Sequence, residues 1–539
     1  MEIPPVTFIT PDESSPRRMK ALLINPHKLV PLSFSLTQRA SPPLGLALIA
    51  GALESEGYDV QVVDCVAEDP NNYFPFGDLK DIRALGLDFD ELFALLGEHY
   101  DLIGMSTMFS NNWLINRHLM NLLKERYPDA LTVIGGEHAT GIPEYCLTDC
   151  AGLDVVVAGE GEETASELAR RVRERGPLSE VGGIVYRDRA DGRIVTMPRR
   201  PRIRAIEAVA RPAWHLFPLE KYFDNEISYG IAYGRSLPII ATRGCPYLCT
   251  FCSSPQMWGV KYNMRDPKDV IDEIAFLNRE YGVTNIDFYD LTAIIKKEWI
   301  LEFCRLLKEN DLDITWQIPA GTRSEAIDYE VATALKKSGC MNITYAPESG
   351  SPKMLKAIKK KVKPARMLFS IGESHRAGLN IKLNIMVGYP DERVRDALRT
   401  VWFLVRASWH GAGDAAPSLF SAYPGSALFT EVVDRGELNV DDAYFESIVF
   451  SQSLHKFRNY SRTNSRRTMI TIVTLAYFTF YVSNYLFRPM RAVRLVKNVV
   501  AKNYQTRGEY MIGEILRRKR AIKSRDVARE VALARPSAS

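Results

Sequence analysis

Short apolar runs alternate with amphipathic helical stretches twice along this chain, and that alternation restricts the fold more than any other feature. In the first block Ala21–Asn25, Val60–Asp64, Leu102–Ser106, Leu131–Gly135 and Val155–Ala158 read as buried strands. Leu44–Gly57 and Asn112–Tyr127 read as helices between them. Strands buried on both faces and separated by helices predict a parallel, doubly wound sheet. Such sheets bind ligands at the carboxyl ends of their strands. Those ends are small and polar here: Asn25-Pro26, Ser106-Thr107, Gly135-Gly136-Glu137-His138 and Gly159-Glu160-Gly161.

The second block reads as strands at Pro238–Thr242, Asn285–Tyr289, Ile314–Ile318, Asn342–Ala346, Lys382–Val387 and Ser418–Ala422. Helices such as Lys268–Tyr281 and Lys297–Glu309 lie between them. Six such units predict a partial (β/α)6 barrel, with its site where strand ends meet loops. The chain has 539 residues, room for roughly three or four ordinary domains. The fold class is therefore α/β. A loose tail is expected at 1–18, a Rossmann-like domain at 19–178 and a linker at 179–235 that carries a hairpin at Gly183–Val195. The barrel follows at 236–440, then a helical, basic C-terminal region at 441–539.

Net charge is +4, too mild to imply nucleic acid, but it is uneven. Between Arg488 and Arg525 there are twelve Lys or Arg and two Glu. Just before this, Thr468–Phe487 has no charge for 20 residues, six of them Thr, Ser or Asn. Length alone would let it span a bilayer. Its polar content reads instead as a buried or interfacial helix, and the basic stretch after it suits peripheral contact with anionic lipid. The N-terminal twenty residues contain no apolar leader core, which fits a cytoplasmic protein.

Eight cysteines are present, and three fall within eight residues: Cys245, Cys249 and Cys252, in Arg243-Gly-Cys-Pro-Tyr-Leu-Cys-Thr-Phe-Cys252. Thiolates are the usual ligands of a 4Fe–4S cubane, normally four of them. Three leave one iron free to chelate an amine and a carboxylate. A structural zinc site wants four protein ligands, and no second pair of cysteines lies nearby. Three inert core thiols fit poorly with a segment opened by Gly244 and Pro246.

The segment resembles the CxxxCxΦC signature of the radical S-adenosylmethionine (SAM) superfamily, with Phe251 in the aromatic position. Further resemblances follow in the family's order. Asp287–Asp290 closes the second barrel strand, where relatives hold the SAM amine, which implies that role for Asp290. Arg323 matches an Arg frequent after the third strand. Tyr345–Ser351 resembles G-x-E-S-G-S, placing Glu348 and Ser349 near the SAM ribose, although Ala346-Pro347 replaces the usual Gly-Ile or Gly-Leu. Met386–Glu392 resembles the G-x-P-x-E loop against adenine, which implicates Gly388 and Pro390. Tyr423–Ser426 resembles Y-P-G-T.

The first domain resembles the cobalamin-binding module found ahead of such barrels. The carrying residues are Ser41–Leu46 with Gly45, Val62–Asp64, Ile134–Ala139 with Gly135, Gly136 and His138, and Val157–Glu162 with Gly159; Ser106 ends a neighbouring strand. The D-x-H-x-x-G cobalt-ligand motif of methionine-synthase-like modules is missing, so neither His138 nor His27 is assigned to cobalt.

The resemblance implies an enzyme with three cofactors: a 4Fe–4S cluster, SAM and cobalamin. SAM is cleaved reductively to a 5′-deoxyadenosyl radical, fed by a donor such as ferredoxin or flavodoxin. The implied outcome is methyl transfer to an unactivated carbon of a small-molecule or lipid substrate. Cys249–Gly259 also resembles the anaerobic magnesium-protoporphyrin monomethyl ester cyclases, so radical oxidative cyclisation is the alternative. A tRNA methylthiotransferase fits less well, for want of extra cluster cysteines and of an RNA-binding barrel. A cobalamin or redox sensor would not need a SAM-cleaving barrel.

Overall fold

The computed structural model describes residues 18–32, 40–454, 456–506, 508–513 and 515–516. The tail expected at 1–18 lies outside them except for its last residue, as does the basic end after 516.

Eighteen strands occur in the described residues. The first ten are β1 (Lys20–Asn25), β2 (Lys28–Pro31), β3 (Asp59–Asp64), β4 (Tyr73–Pro75), β5 (Ile82–Leu85), β6 (Leu102–Ser106), β7 (Leu131–Gly135), β8 (Val155–Val157), β9 (Ile184–Arg187) and β10 (Ile194–Thr196). Seven form one sheet in the order β10-β9-β8-β7-β6-β1-β3. The five strands from β8 to the β3 edge are parallel, and in chain order they run 2-1-3-4-5, a doubly wound topology whose direction reverses between β1 and β6. Successive residues of β1 face opposite ways: Ala21 and Leu23 enter one core, Leu22 and Ile24 another.

Two features depart from expectation. The hairpin β9–β10 is no part of a linker, because it adds antiparallel to β8 and extends the first sheet. A small sheet β2-β5-β4 covers the region beyond β1.

The remaining strands are β11 (Ser236–Ile239), β12 (Thr242–Arg243), β13 (Asn263–Met264), β14 (Asn285–Phe288), β15 (Thr315–Thr322), β16 (Cys340–Glu348), β17 (Asn380–Val387) and β18 (Asp414–Leu419). The order β11-β14-β15-β16-β17-β18 is parallel throughout, an open six-stranded barrel. Its last strand begins four residues before the expected Ser418. The core behind the first sheet continues into the barrel through Trp214, Phe217 and Leu219.

The helix Arg466–Phe487 lies along the helix Val394–His410 and β18. It buries Met469, Ile472, Val473, Ala476 and Phe480. Asn484 donates to the Ala412 carbonyl at 2.6 Å, and Tyr481 donates to Asp414 at 2.5 Å. The helix thus closes the open side of the barrel, although its length and composition would also suit a bilayer.

Candidate functional site

The cysteine loop is an excursion from the end of β11, closed at its neck by the short antiparallel ladder of β12 and β13. Thr242 faces Met264 and Arg243 faces Asn263. Gly244 follows at φ 89°, and a Cβ there would stand 2.1 Å from the Lys261 carbonyl oxygen. Glycine is therefore required where the chain leaves the ladder. The backbone is pinned further along by Thr250 N–H to Ile358 O (3.1 Å) and Leu428 N–H to Thr250 O (2.8 Å).

Cys245, Cys249 and Cys252 all line a cavity of 1060 Å³ within the barrel, together with Phe251, Arg323 and Glu348. Burial raises the Cys249 thiol and pushes Cys252 up to about 11. Both stay protonated at neutral pH unless a metal's charge displaces the proton. Among the described residues no three His, Cys, Asp or Glu side chains gather as a single ion demands. Three cavity-lining thiols on one loop offer a sulfur to each of three irons of a cubane, whereas a structural zinc would want a fourth protein ligand.

The Arg323 guanidinium stacks on Tyr247 of the loop at 3.7 Å and pairs with Glu325 at 2.6 Å. Glu348 has a positive φ of 64° and pairs with Lys360 at 3.2 Å. Burial works against the Lys360 ammonium, but the Glu348 carboxylate beside it raises it and the net shift is upward. A cation is thus fixed beside the cysteine wall.

Other expected residues lie elsewhere. Asp290 does not face the cavity. It is buried beneath the loop, accepting from Thr242 Oγ1 at 2.5 Å and Ala241 N–H at 3.2 Å, so it ties down the loop's root. Ser349 turns away to bond Thr400 Oγ1 at 3.0 Å. Gly388 donates to Glu392 at 2.5 Å, and Pro390 accepts from Arg462 N–H at 2.8 Å. Neither lines the cavity.

In the first sheet, Ser106, Gly135, Gly136 and Gly159 stand at or just beyond the carboxyl ends of β6, β7 and β8, and Gly45 opens the helix Leu44–Ser55. A Cβ on Gly45 would meet nothing within 4 Å, whereas one on Gly136, at φ 122°, would stand 2.7 Å from Thr107 O. Flanking the reversal point, His27 Nδ1 and Thr107 Oγ1 are buried with no hydrogen-bond partner among the described residues. Small strand ends and orphaned polar atoms suit a flat macrocycle with amide arms. His138 is a correction. It is packed against Trp113 and Phe445, with Nδ1 at 2.9 Å from Ser110 Oγ and Nε2 at 3.7 Å from Cys146 Sγ. It is 2% exposed, a core residue, and that burial lowers it to about 3.

Sequence reasoning missed the join between the two sheets. Arg243 bonds Glu160 at 3.1 Å and Glu162 at 2.6 Å, while Arg202 reaches Glu160 at 2.5 Å. Ser253 donates to Glu137 at 2.5 Å, and Thr140 Oγ1 lies 3.2 Å from Met257 Sδ. The signal was available in the paired glutamates of Gly159–Glu162 and in an arginine directly before Gly244-Cys245.

A doubly wound sheet presents its strand ends to a barrel that carries three cysteines on one loop, and known proteins share this arrangement. Residues 38–169 match the B12 binding domain, and residues 239–401 match the Radical SAM superfamily. The cytidylyl-2-hydroxyethylphosphonate methyltransferase of Streptomyces wedmorensis is 30% identical over 465 residues, covering 80% of this chain and 84% of that one. The anaerobic magnesium-protoporphyrin IX monomethyl ester cyclase of Rubrivivax gelatinosus is 27% identical, covering 74% and 67%. The radical SAM methyltransferase TsrM of Kitasatospora setae, solved with cobalamin and a 4Fe–4S cluster, superimposes with a TM-score of 0.63 at 18% identity over 85% of this chain and 91% of that one. The chain belongs to the cobalamin-dependent radical SAM family, among its methyltransferases and cyclases. It is an enzyme whose cofactors are a 4Fe–4S cluster, SAM and cobalamin.

Proposed function

We propose that this enzyme transfers a methyl group to an unactivated carbon of a lipid or natural-product substrate with an extended apolar body. The observation that carries the proposal is the cavity shared by Cys245, Cys249, Cys252, Arg323 and Glu348, which continues down the barrel past Tyr477 and Leu495. When bound, the cluster supplies an electron for SAM cleavage, and the corrin supplies a transferable methyl group.

The chain's own residues set the geometry. Cys245, Cys249 and Cys252 hold the cluster. Arg323 braces the loop through Tyr247, and Lys360 fixes the Glu348 carboxylate at the cavity wall. Gly45, Ser106, Gly135, Gly136 and Gly159 leave room on the corrin side. A ferredoxin or flavodoxin is the electron donor in this reading.

Anaerobic reconstitution with cobalamin, SAM and a strong reductant tests it. Both 5′-deoxyadenosine and S-adenosylhomocysteine should form. The first without the second would favour cyclase-type oxidation, to which the Cys249–Gly259 segment and the Rubrivivax relative lend support. Neither would sink both readings.

A further inference from the structure

From Arg466 to Ala501 the chain has six Lys or Arg and no Asp or Glu. The helix Arg466–Phe487 turns Phe478, Val482 and Leu486 outward. The helix Met490–Ala501 buries only Asn498. Met490, Val493, Val496 and Val500 are 71%, 59%, 63% and 79% exposed. Spacings of three and four put these side chains on one face, and none of the described residues covers that face. The face continues onto Val394–His410, where Trp402 and Trp409 are 62% and 63% exposed. Trp409 meets Phe487 edge-on at 5.0 Å, which joins the two surfaces.

Among the described residues no carboxylate pairs with Arg488, Arg491, Arg494 or Lys497. Arg488 donates to the carbonyls of Ser408 and Trp409, and Arg491 to those of Gly411 and Ala412. These bonds cap the carboxyl end of Val394–His410. Burial and the neighbouring Arg488 and Arg494 lower Arg491 to about 10. Arg491, Arg494 and Leu495 also line the lower end of the barrel cavity, so this surface is the outer side of the cavity's own wall.

We propose that this face, formed by Met490–Ala501, the carboxyl half of Arg466–Phe487 and the two tryptophans, docks on an anionic lipid bilayer. A valine stripe flanked by cations, with tryptophan at its margin, is the pattern of a helix lying in the membrane interface. Anionic headgroups supply the missing counter-charge. Nucleic acid would match the cations but leave the valines wet. A second copy meeting this face about a two-fold axis would set cation against cation. The docking stands on geometry independent of the radical reaction.

The test uses the full chain, purified anaerobically with its cluster. It is floated with vesicles of phosphatidylcholine alone or of phosphatidylcholine with phosphatidylglycerol. Flotation with the anionic vesicles only, reversed by high salt, is expected. Val493→Asp, Val496→Asp and Lys497→Glu should each weaken partitioning by about tenfold. Iron content and 5′-deoxyadenosine yield should stay at the parent level. Three results would overturn the proposal: no flotation of the parent chain, variants that float like it, or a dimer or RNA complex that Val496→Asp abolishes while vesicle binding persists. If the parent floats but makes no 5′-deoxyadenosine, the radical reading fails and the docking stands.

Discussion

Arg243 Nη2 lies 2.6 Å from Glu162 Oε1, and this buried pair fastens the root of the cysteine loop to the start of the helix Glu162–Glu174 that follows β8. Removing Glu162 would leave Arg243 and Arg202 sharing Glu160 alone, one buried positive charge in excess. Glu162→Ala should destabilise the protein by about 3 kcal/mol and lower the iron retained through gel filtration. The exposed neighbour serves as control, and Glu163→Ala should do neither. Equal iron in the two variants would show that the pair does not brace the loop.

Cys245→Ala, Cys249→Ala and Cys252→Ala should each abolish the brown cluster absorbance and SAM cleavage, with little change in the far-ultraviolet circular dichroism. Cys304 is a packing residue between helices and sheet. Cys304→Ala should keep its iron and lose about 1–2 kcal/mol of stability. Iron retained by any of the three loop variants would count against the cluster assignment.

Gly136→Ala places a Cβ 2.7 Å from Thr107 O at a φ of 122°. The β7 end must distort, at about 1–3 kcal/mol or more. Because Thr107 directly follows the end of β6, cobalamin binding should weaken together with stability. Absorbance titration with hydroxocobalamin reads the effect, and unchanged affinity would place the corrin elsewhere.

Glu392 has one oxygen on Gly388 N–H and the other without a partner among the described residues. Burial pushes it from 4.5 up to about 7. The native state keeps a proton that the unfolded chain has released, so this contribution is complete below about 4.5 and disappears as pH rises through about 7. Urea unfolding should therefore show falling stability between these limits. Glu392→Gln should flatten that fall by at most about 3 kcal/mol. A parallel fall in the variant would trace the effect to other groups, such as Asp64 and Asp287, which burial raises to about 6.

Both alternations were legible because a parallel sheet writes its strands as continuous apolar runs. The hairpin β9–β10 resembles connecting chain in sequence because its second strand, Ile194–Thr196, has no buried residue, and its antiparallel pairing with β8 breaks the strand–helix alternation. In the sheet β2-β5-β4, β2 pairs Pro31 with Ile82 and Lys28 with Leu85, a long-range pairing that no local period reveals. β18 holds Asp414 and Pro417, so its first half lacks a continuous apolar run. At the site, residue type and order were legible, but direction was not. Cys245, Cys249, Cys252, Phe251, Arg323 and Glu348 share the cavity. Asp290, Ser349, Gly388 and Pro390 instead spend their polar groups on neighbouring backbone and side chains, as buried groups must.

The two-residue ladder at the neck of the cysteine loop is too short to hold its shape unaided. Its stiffness is borrowed from Glu160 and Glu162, on the other side of the boundary between the modules. Grafting this barrel behind a foreign corrin-binding partner would therefore require transplanting those two acids as well. Otherwise the iron site would arrive with its hinge unfastened.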